Sequence, residues 1–382
     1  MASASGALKN RNAPRPRVGA SYGSSAASAS SAKLAAVLAL AYTAVIAFAS
    51  LQPFDGWRLP PRDIQLYLLQ PWPRYTTAAD LWLNALVYFP LGACVFAALR
   101  RRGAAFALLA ATLYGATLSL ALESLQMFLP TRIASSVDLL LNASGTLAGA
   151  LAGWLFTPPR WPGEWLARVR ARQFVPGGRA DLGLVLVGAW LAVQLLPRAP
   201  VFALGDLRER YALVPSLAHT PETYMAVETA VVAASVVAVG ALVSLWLARG
   251  ASPLRAVLLT IALALTLRTL GAVLAQNPNP APWFTPGAII GLAFGLSLFA
   301  AVARAPFRGR AALALLAAAA AAAATNLAPE NPYLATPAYQ LAAELTHLTS
   351  LAALLKFVSD VWPVAAVLYL LGLVLAPAPR TV

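Results

Sequence analysis

Residues 119–149 read SLALESLQMFLPTRIASSVDLLLNASGTLAG. Two apolar runs meet at the turn around Pro130. Before the turn, Ser119, Glu123 and Gln126 are spaced by four and three residues; after it, Asp138 and Asn142 are four apart. These spacings put each polar set on one face of a helix, whereas a strand would alternate every second residue. Gly145, Gly149 and Gly153 continue the second face as a small-residue ridge of the kind that admits a neighbouring helix at close range. A carboxylate inside a membrane-spanning helix costs about 2.5–3.5 kcal/mol on insertion scales. Because the polar residues are clustered rather than scattered, we read them as a site.

Composition fixes the setting. The chain has 382 residues, 60% of them hydrophobic and only 11% charged, with a mean hydropathy of +0.70. A soluble domain carries about 25% charged residues. The sequence therefore predicts an all-α, polytopic membrane protein embedded in a lipid bilayer. Apolar runs long enough to span lie at 34–51, 80–99, 104–129, 137–156, 181–197, 225–248, 255–274, 286–303, 310–327 and 360–376, which predicts about ten transmembrane helices. The run 338–358 contains Glu344, His347 and Lys356 and reads as an interfacial or re-entrant helix.

The formal charge of +14 would suggest a nucleic-acid partner in a soluble protein. Here it follows from topology. With a cytoplasmic N-terminus, most of the 28 basic residues fall on one side, among them Arg100, Arg101, Arg102, Arg160, Arg168, Arg170, Arg172, Arg249, Arg255, Arg304, Arg308 and Arg310. That bias places both termini in the cytoplasm, and no nucleic-acid partner is expected. The chain divides into a basic tail (1–32) expected to be disordered, a four-helix domain (33–156), an Arg-rich cytoplasmic linker (157–180) and a second membrane domain of about six helices (181–382). The linker, with Trp161 and Trp165, reads first as a topology determinant and second as a segment lying on anionic headgroups.

Chemistry-bearing residues are few. Cys94 is the only cysteine, and His219 and His347 form no metal-ligand pattern with it. No cofactor or metal is expected. In the first domain, Asp80 and Asn84 share a face near the start of the second helix. Three consecutive helices can thus aim Asp80, Asn84, Ser119, Glu123, Gln126, Asp138 and Asn142 at one outer-leaflet locus, with Arg132 in the turn. Arg132 beside Asp138 or Glu123 would offset the cost of their charge. Ser135 or Ser136 can cap the helix that follows. Ser119 reads first as bonded back to its own helix. No His lies in the cluster, so serine-based acyl transfer lacks its usual base. Arg268, mid-helix in 255–274, needs an acid or carbonyl from another segment.

These residues resemble a family. Asn84…Phe89-Pro90-Leu91-Gly92, then Ser119…Glu123…Gln126…Arg132, then Asp138…Asn142…Gly145 look like the pattern of the VanZ-like family, over about residues 34–156. Leu51-Gln52-Pro53-Phe54 also fits. The family's namesake is associated with resistance to the glycopeptide teicoplanin, by no established mechanism. The resemblance implies a bacterial cell-envelope protein of the cytoplasmic membrane and supplies no reaction. Gln194-Leu195-Leu196-Pro197 loosely echoes the segment after the first helix, as a degenerate duplication would.

Three functions remain open on the sequence. The first is binding of an amphipathic ligand, such as a lipid-linked cell-wall precursor or a glycopeptide, at the polar cluster, with an effect on glycopeptide susceptibility. The second is an enzyme acting on polyprenyl-phosphate or phospholipid, with Glu123 or Asp138 as acid or base. The third is a transporter, for which no inverted repeat or paired broken helices are evident.

Overall fold

A computed structural model describes residues 20–52, 54–60, 67–69, 78–196, 200–211, 217, 218, 220–274, 279–329 and 350–376. They form helices α1 (Ala20–Leu51), α2 (Ala78–Leu99), α3 (Ala104–Gln126), α4 (Ser136–Leu155), α5 (Trp161–Gln173), α6 (Gly178–Val193), the single turn α7 (Arg208–Tyr211), α8 (Pro221–Leu245), α9 (Pro253–Leu274), α10 (Pro286–Val302), α11 (Phe307–Leu327) and α12 (Ser350–Leu375). No strand occurs among the described residues, only an isolated bridge between Phe174 and Leu247. The all-α membrane class is therefore correct.

By length and composition, six of the described helices can cross a membrane: α1, α3, α8, α9, α11 and α12. The expected ten is not reached. Two of the others are short: α6 has 16 residues and α10 has 17. In α4, Asp138, Asn142 and several glycines dilute the apolar character. Two boundaries also differ from expectation. Residues 20–32, expected to be disordered, extend α1; the stretch carries Gly23 but no proline, and its alanines favour helix. Residues 350–358, assigned to an interfacial segment, belong to the final helix instead. Glu344, His347 and His219 lie outside the described residues.

Helix starts follow local chemistry. The side chains of Thr220 and Thr285 accept hydrogen bonds from the amides of Thr223 and Ala288, and each is followed by a proline at the first helical position. Ser135 caps α4 in the same way, accepting from Val137 N at 3.2 Å.

The first four helices share one apolar core, built on Ile46, Tyr88, Leu91, Phe96, Ala107, Ala111, Leu122 and Ala150. Its tightest element is the crossing of α2 and α4. A Cβ on Gly145 would overlap the Ala85 carbonyl, one on Gly149 the Phe89 carbonyl, and one on Gly92 the Thr146 carbonyl. The predicted glycine ridge is thus in backbone contact with a neighbour, and that neighbour is α2. Lipid tails are as apolar as leucine, so helices in a bilayer associate through such close van der Waals packing.

The arrangement recurs in the second half. On α10, Gly287, Gly291 and Gly295 face the carbonyls of Met225, Thr229 and Ala233 on α8. In both halves a helix, its second successor and a four-residue glycine ladder pack in parallel register. A second core gathers α6, α8, α9, α10 and α11 around Trp190, Phe202, Val236, Leu242 and Phe299. Helix α12 joins the two: Leu354 and Leu355 enter the first core, Trp362, Ala366 and Leu370 the second.

The helices alternate in direction, so the arginines collect at one end. Arg100–Arg102 link α2 to α3 there. Arg310 Nη1 donates to Ser244 O at 2.6 Å, and Val175 N donates to Trp246 O at 2.8 Å, bringing the starts of α11 and α6 to the end of α8. The candidate polar residues lie at the opposite end.

Gly149→Leu is expected to cost on the order of 3 kcal/mol or more, because a rigid carbonyl rather than a flexible side chain must move. Gly188→Leu, where a Cβ meets open space, should be nearly neutral. Unfolding by SDS titration checks this; equal midpoints for the two variants would contradict the packing.

Candidate functional site

The site forms where the polar faces of α2, α3 and α4 meet. Ser119 on α3 has 0% of its surface exposed and Glu123, one turn later, 5%. Asn142 on α4 is also buried, and its Nδ2 donates to Ser119 Oγ at 2.9 Å. Ser119 is therefore committed to α4 rather than bonded back to its own helix, as the sequence suggested. The Tyr88 side chain of α2 interacts with Ser119 as well. Thr146 Oγ1 donates to Asn142 O at 2.8 Å and fills the notch over Gly115, where a Cβ would strike the Thr146 side chain.

Glu123 reaches across the turn. Its Oε2 accepts from Ser135 N at 2.9 Å, tying the end of α3 to the N-cap of α4. Asp138 lies near enough to act on Glu123 electrostatically. Asn84 Nδ2 donates to Asp138 Oδ1 at 2.7 Å, and both residues are half-buried at the rim. Two carboxylates thus face one locus, accompanied by neutral amides and hydroxyls. Asp138 also lies in the first turn of α4, where a negative charge is favoured by the helix dipole.

Arg132 does not pair with these acids. Its Nε donates to Gln52 O at 3.1 Å, and its Nη2 to Gln52 O at 2.9 Å and Ala49 O at 3.1 Å. Gln126 Nε2 behaves alike, donating to Ser50 O at 2.9 Å. Both side chains close the C-terminal end of α1, whose last carbonyls have no partner within the helix. The guanidinium fork suits this task because several carbonyls converge there. Partial burial pushes the Arg132 pKa below its usual value. The expected Arg132–acid pair is therefore replaced by an anchor between the 127–135 turn and α1.

Of the predicted set, the structure brings together Asn84, Ser119, Glu123, Asp138 and Asn142. It moves Gln126 and Arg132 to the α1 anchor. Asp80 lies in the first turn of α2, where only the backbone is described. Gly145 and Gly149 serve packing, and a Cβ on Gly153 would meet the Phe96 ring at 3.1 Å. Sequence reasoning missed Tyr88 and Thr146, each one helical turn from a predicted residue (Asn84 and Asn142). Among the described residues, no group of three His, Cys, Asp or Glu side chains gathers where it could hold a metal ion.

A second polar knot lies in the other half. Glu228 on α8 accepts from Thr285 Oγ1 at 2.7 Å and interacts electrostatically with Arg268 on α9. Arg268 Nη1 contacts Gln194 Oε1 at 3.4 Å, and Gln194 Nε2 donates to Trp190 O. Glu228 is thus an acid near enough to act on Arg268 electrostatically. Around this knot the helices are in close contact: a Cβ on Gly271 would overlap the Leu195 backbone, and one on Gly287 would meet Glu228 Oε2 at 2.7 Å.

Residues 32–157 match the VanZ/LLP1 family model. The match spans the first four helices, and with them every residue of the polar cluster. No curated protein and no solved structure matches the chain.

Arg132→Ala removes three charge-assisted hydrogen bonds and is expected to destabilise the first unit by about 2–3 kcal/mol. Arg132→Lys should recover only part, lacking the fork. SDS unfolding together with protease sensitivity near residues 49–60 reads this out; wild-type behaviour of Arg132→Ala would contradict the anchoring role.

Proposed function

We propose that the VanZ-like unit binds the polar head of an amphipathic cell-envelope ligand at the Asn84–Asp138–Glu123 locus. The protein would act in the bacterial cytoplasmic membrane, with this locus in the outer leaflet, and would alter glycopeptide susceptibility through the ligand. The observation that carries the reading is the convergence of Glu123 and Asp138 with Asn84 at a half-buried rim, while Arg132 is occupied elsewhere. A locus rich in carboxylates and carbonyl oxygens favours donors: hydroxyls, amides and amines. Lipid-linked cell-wall precursors and lipid-tailed glycopeptides present such groups beside an apolar tail. The tail would lie along exposed apolar side chains such as Leu140 and Ile133.

The nearness of the Glu123 and Asp138 carboxylates favours one alternative, acid–base chemistry on a lipid-linked substrate. Turnover by purified protein that is lost in both Glu123→Gln and Asp138→Asn would select it over simple binding.

The test of the binding reading is glycopeptide susceptibility in a null strain whose envelope the drug can enter. Wild type is expected to raise the inhibitory concentration. Asp138→Asn and Glu123→Gln should return it to the empty-vector value with normal membrane insertion. Full activity in both inserted variants would sink the reading.

A further inference from the structure

Helix α5 is left without a role by the polar cluster. It spans Trp161–Gln173 between α4 and α6, at the basic end of the bundle. The sequence suggested an Arg-rich linker, read first as a topology determinant and second as a segment on anionic headgroups; the structure forms a helix here, and its geometry decides between the two. Both of its ends are fixed. Near its start, Gly163 is buried against the backbone of Phe156 and Thr157, where a Cβ would overlap. Arg160, at its N-cap, lies 3.8 Å over the Trp154 ring and donates to Trp154 O at 2.9 Å. Near its end, Arg170 bonds Asp181 of α6 at 2.7 Å and Val175 O at 3.0 Å. The helix is thus clamped along the Gly163–Arg170 side.

What remains exposed is divided into two stripes. Trp161, Trp165 and Val169 recur every four residues, with Leu166 beside them; Trp161 is 72% exposed and Trp165 50%. Glu164, Arg168 and Arg172 form the adjacent stripe, also exposed. The two rows lie side by side on the face opposite the clamp, and a helix that presents tryptophan and arginine together on one exposed face suits the plane of a membrane surface, with rings among the headgroups and guanidinium groups at the phosphates. Tryptophan prefers the headgroup level, with its ring among the first methylenes. The exposed Arg101, Arg102, Arg249, Arg255 and Arg308 add positive charge at the same end.

We infer that α5 is an interfacial helix that inserts Trp161 and Trp165 among the headgroups of the adjoining leaflet and binds anionic phospholipid through Arg168 and Arg172. The occupant is a lipid surface rather than a protein for two reasons. The helix is held between α4 and α6, which pack into the two helical cores, and so stays at the basic end of the bundle, and the charge of its polar stripe complements phosphate. Arg160 and Arg170 hold the helix in place; Arg168 and Arg172 face the lipid.

The test uses the full chain with Cys94→Ala, carrying a nitroxide label at Trp165→Cys or at Arg168→Cys, in nanodiscs of phosphatidylcholine with or without phosphatidylglycerol. The label at 165 should be more accessible to oxygen and less accessible to a water-soluble nickel reagent than the label at 168, on the neighbouring row. Equal water access at both sites overturns the proposal. So does a label at 165 shielded from both reagents, which would mean that protein covers the helix. In the second arm, phosphatidylglycerol retained by the purified protein is compared with phosphatidylcholine. Preference should fall by roughly fivefold for each of Arg168→Gln and Arg172→Gln. Both positions are exposed, and an unchanged SDS unfolding midpoint verifies the fold of the variants. Equal retention of the two lipids by wild type, or a preference untouched in the double variant, contradicts the inference.

Discussion

The first unit depends on the backbone-to-backbone approach of α2 and α4. Gly92, Gly145 and Gly149 remove the three Cβ atoms that would hold the helices apart. The polar cluster follows from that crossing. Ala85, whose carbonyl faces Gly145, is next to Asn84, so the same contact that seats Gly145 carries Asn84 to Asp138. Asn142, three residues before Gly145, is turned toward α3 and meets Ser119. A bulkier residue at Gly145 would widen the crossing and separate these partners, although it touches none of them.

The second half applies the same packing to different chemistry. If Ala85 over Gly145 corresponds to Met225 over Gly287, then Tyr88 and Glu228 hold matching positions, each three residues further along. Tyr88 turns to Ser119 on α3, and Glu228 turns to Arg268 on α9. In the first half the middle helix, α3, brings a carboxylate; in the second the middle helix, α9, brings a guanidinium, and the carboxylate is on the preceding helix, α8. Opposite charges within electrostatic range of one another reduce the cost that either alone would impose in a bilayer. The close contacts at Gly271 and Gly287 hold the second polar knot between tightly packed helices, whereas the Asn84–Asp138 contact is half-buried.

Much of this was legible in the sequence. Apolar runs placed most helices to within a few residues, because length and hydropathy alone decide a span. The Gly145–Gly149–Gly153 ridge announced a close crossing, and the spacing of Ser119, Glu123 and Asn142 announced a common locus. The partner of Arg132 was not legible. From sequence, a cation near two acids suggests an ion pair; the structure instead turns it to Ala49 and Gln52, 80 or more residues earlier in the chain. Unsatisfied carbonyls at a helix end carry no residue-type signal, so such a competitor is invisible in the sequence. For the same reason α5 read as a linker: Gly163 shows its packing role only once Phe156 and Thr157 are seen beneath it. The segment Gln194–Pro197 hinted at a repeat, but the convincing correspondence is the glycine ladder of α10 on α8: Gly287, Gly291 and Gly295 repeat the spacing of Gly145, Gly149 and Gly153, while the carbonyls they face are visible only in the backbone geometry.

The central claim is that the rim between Asn84 and Asp138 holds the polar head of an amphipathic ligand. The most direct measurement is equilibrium binding of fluorescent teicoplanin and of a fluorescent lipid-linked cell-wall precursor to the purified protein in nanodiscs, for wild type and Asp138→Asn. The account predicts saturable binding of at least one probe, weakened at least about tenfold by Asp138→Asn, as loss of a charge-assisted hydrogen bond to the ligand implies, with the variant still folded and its SDS unfolding midpoint only slightly lowered. Saturable binding of equal strength to both proteins, or no saturable binding of either probe to wild type, would contradict it.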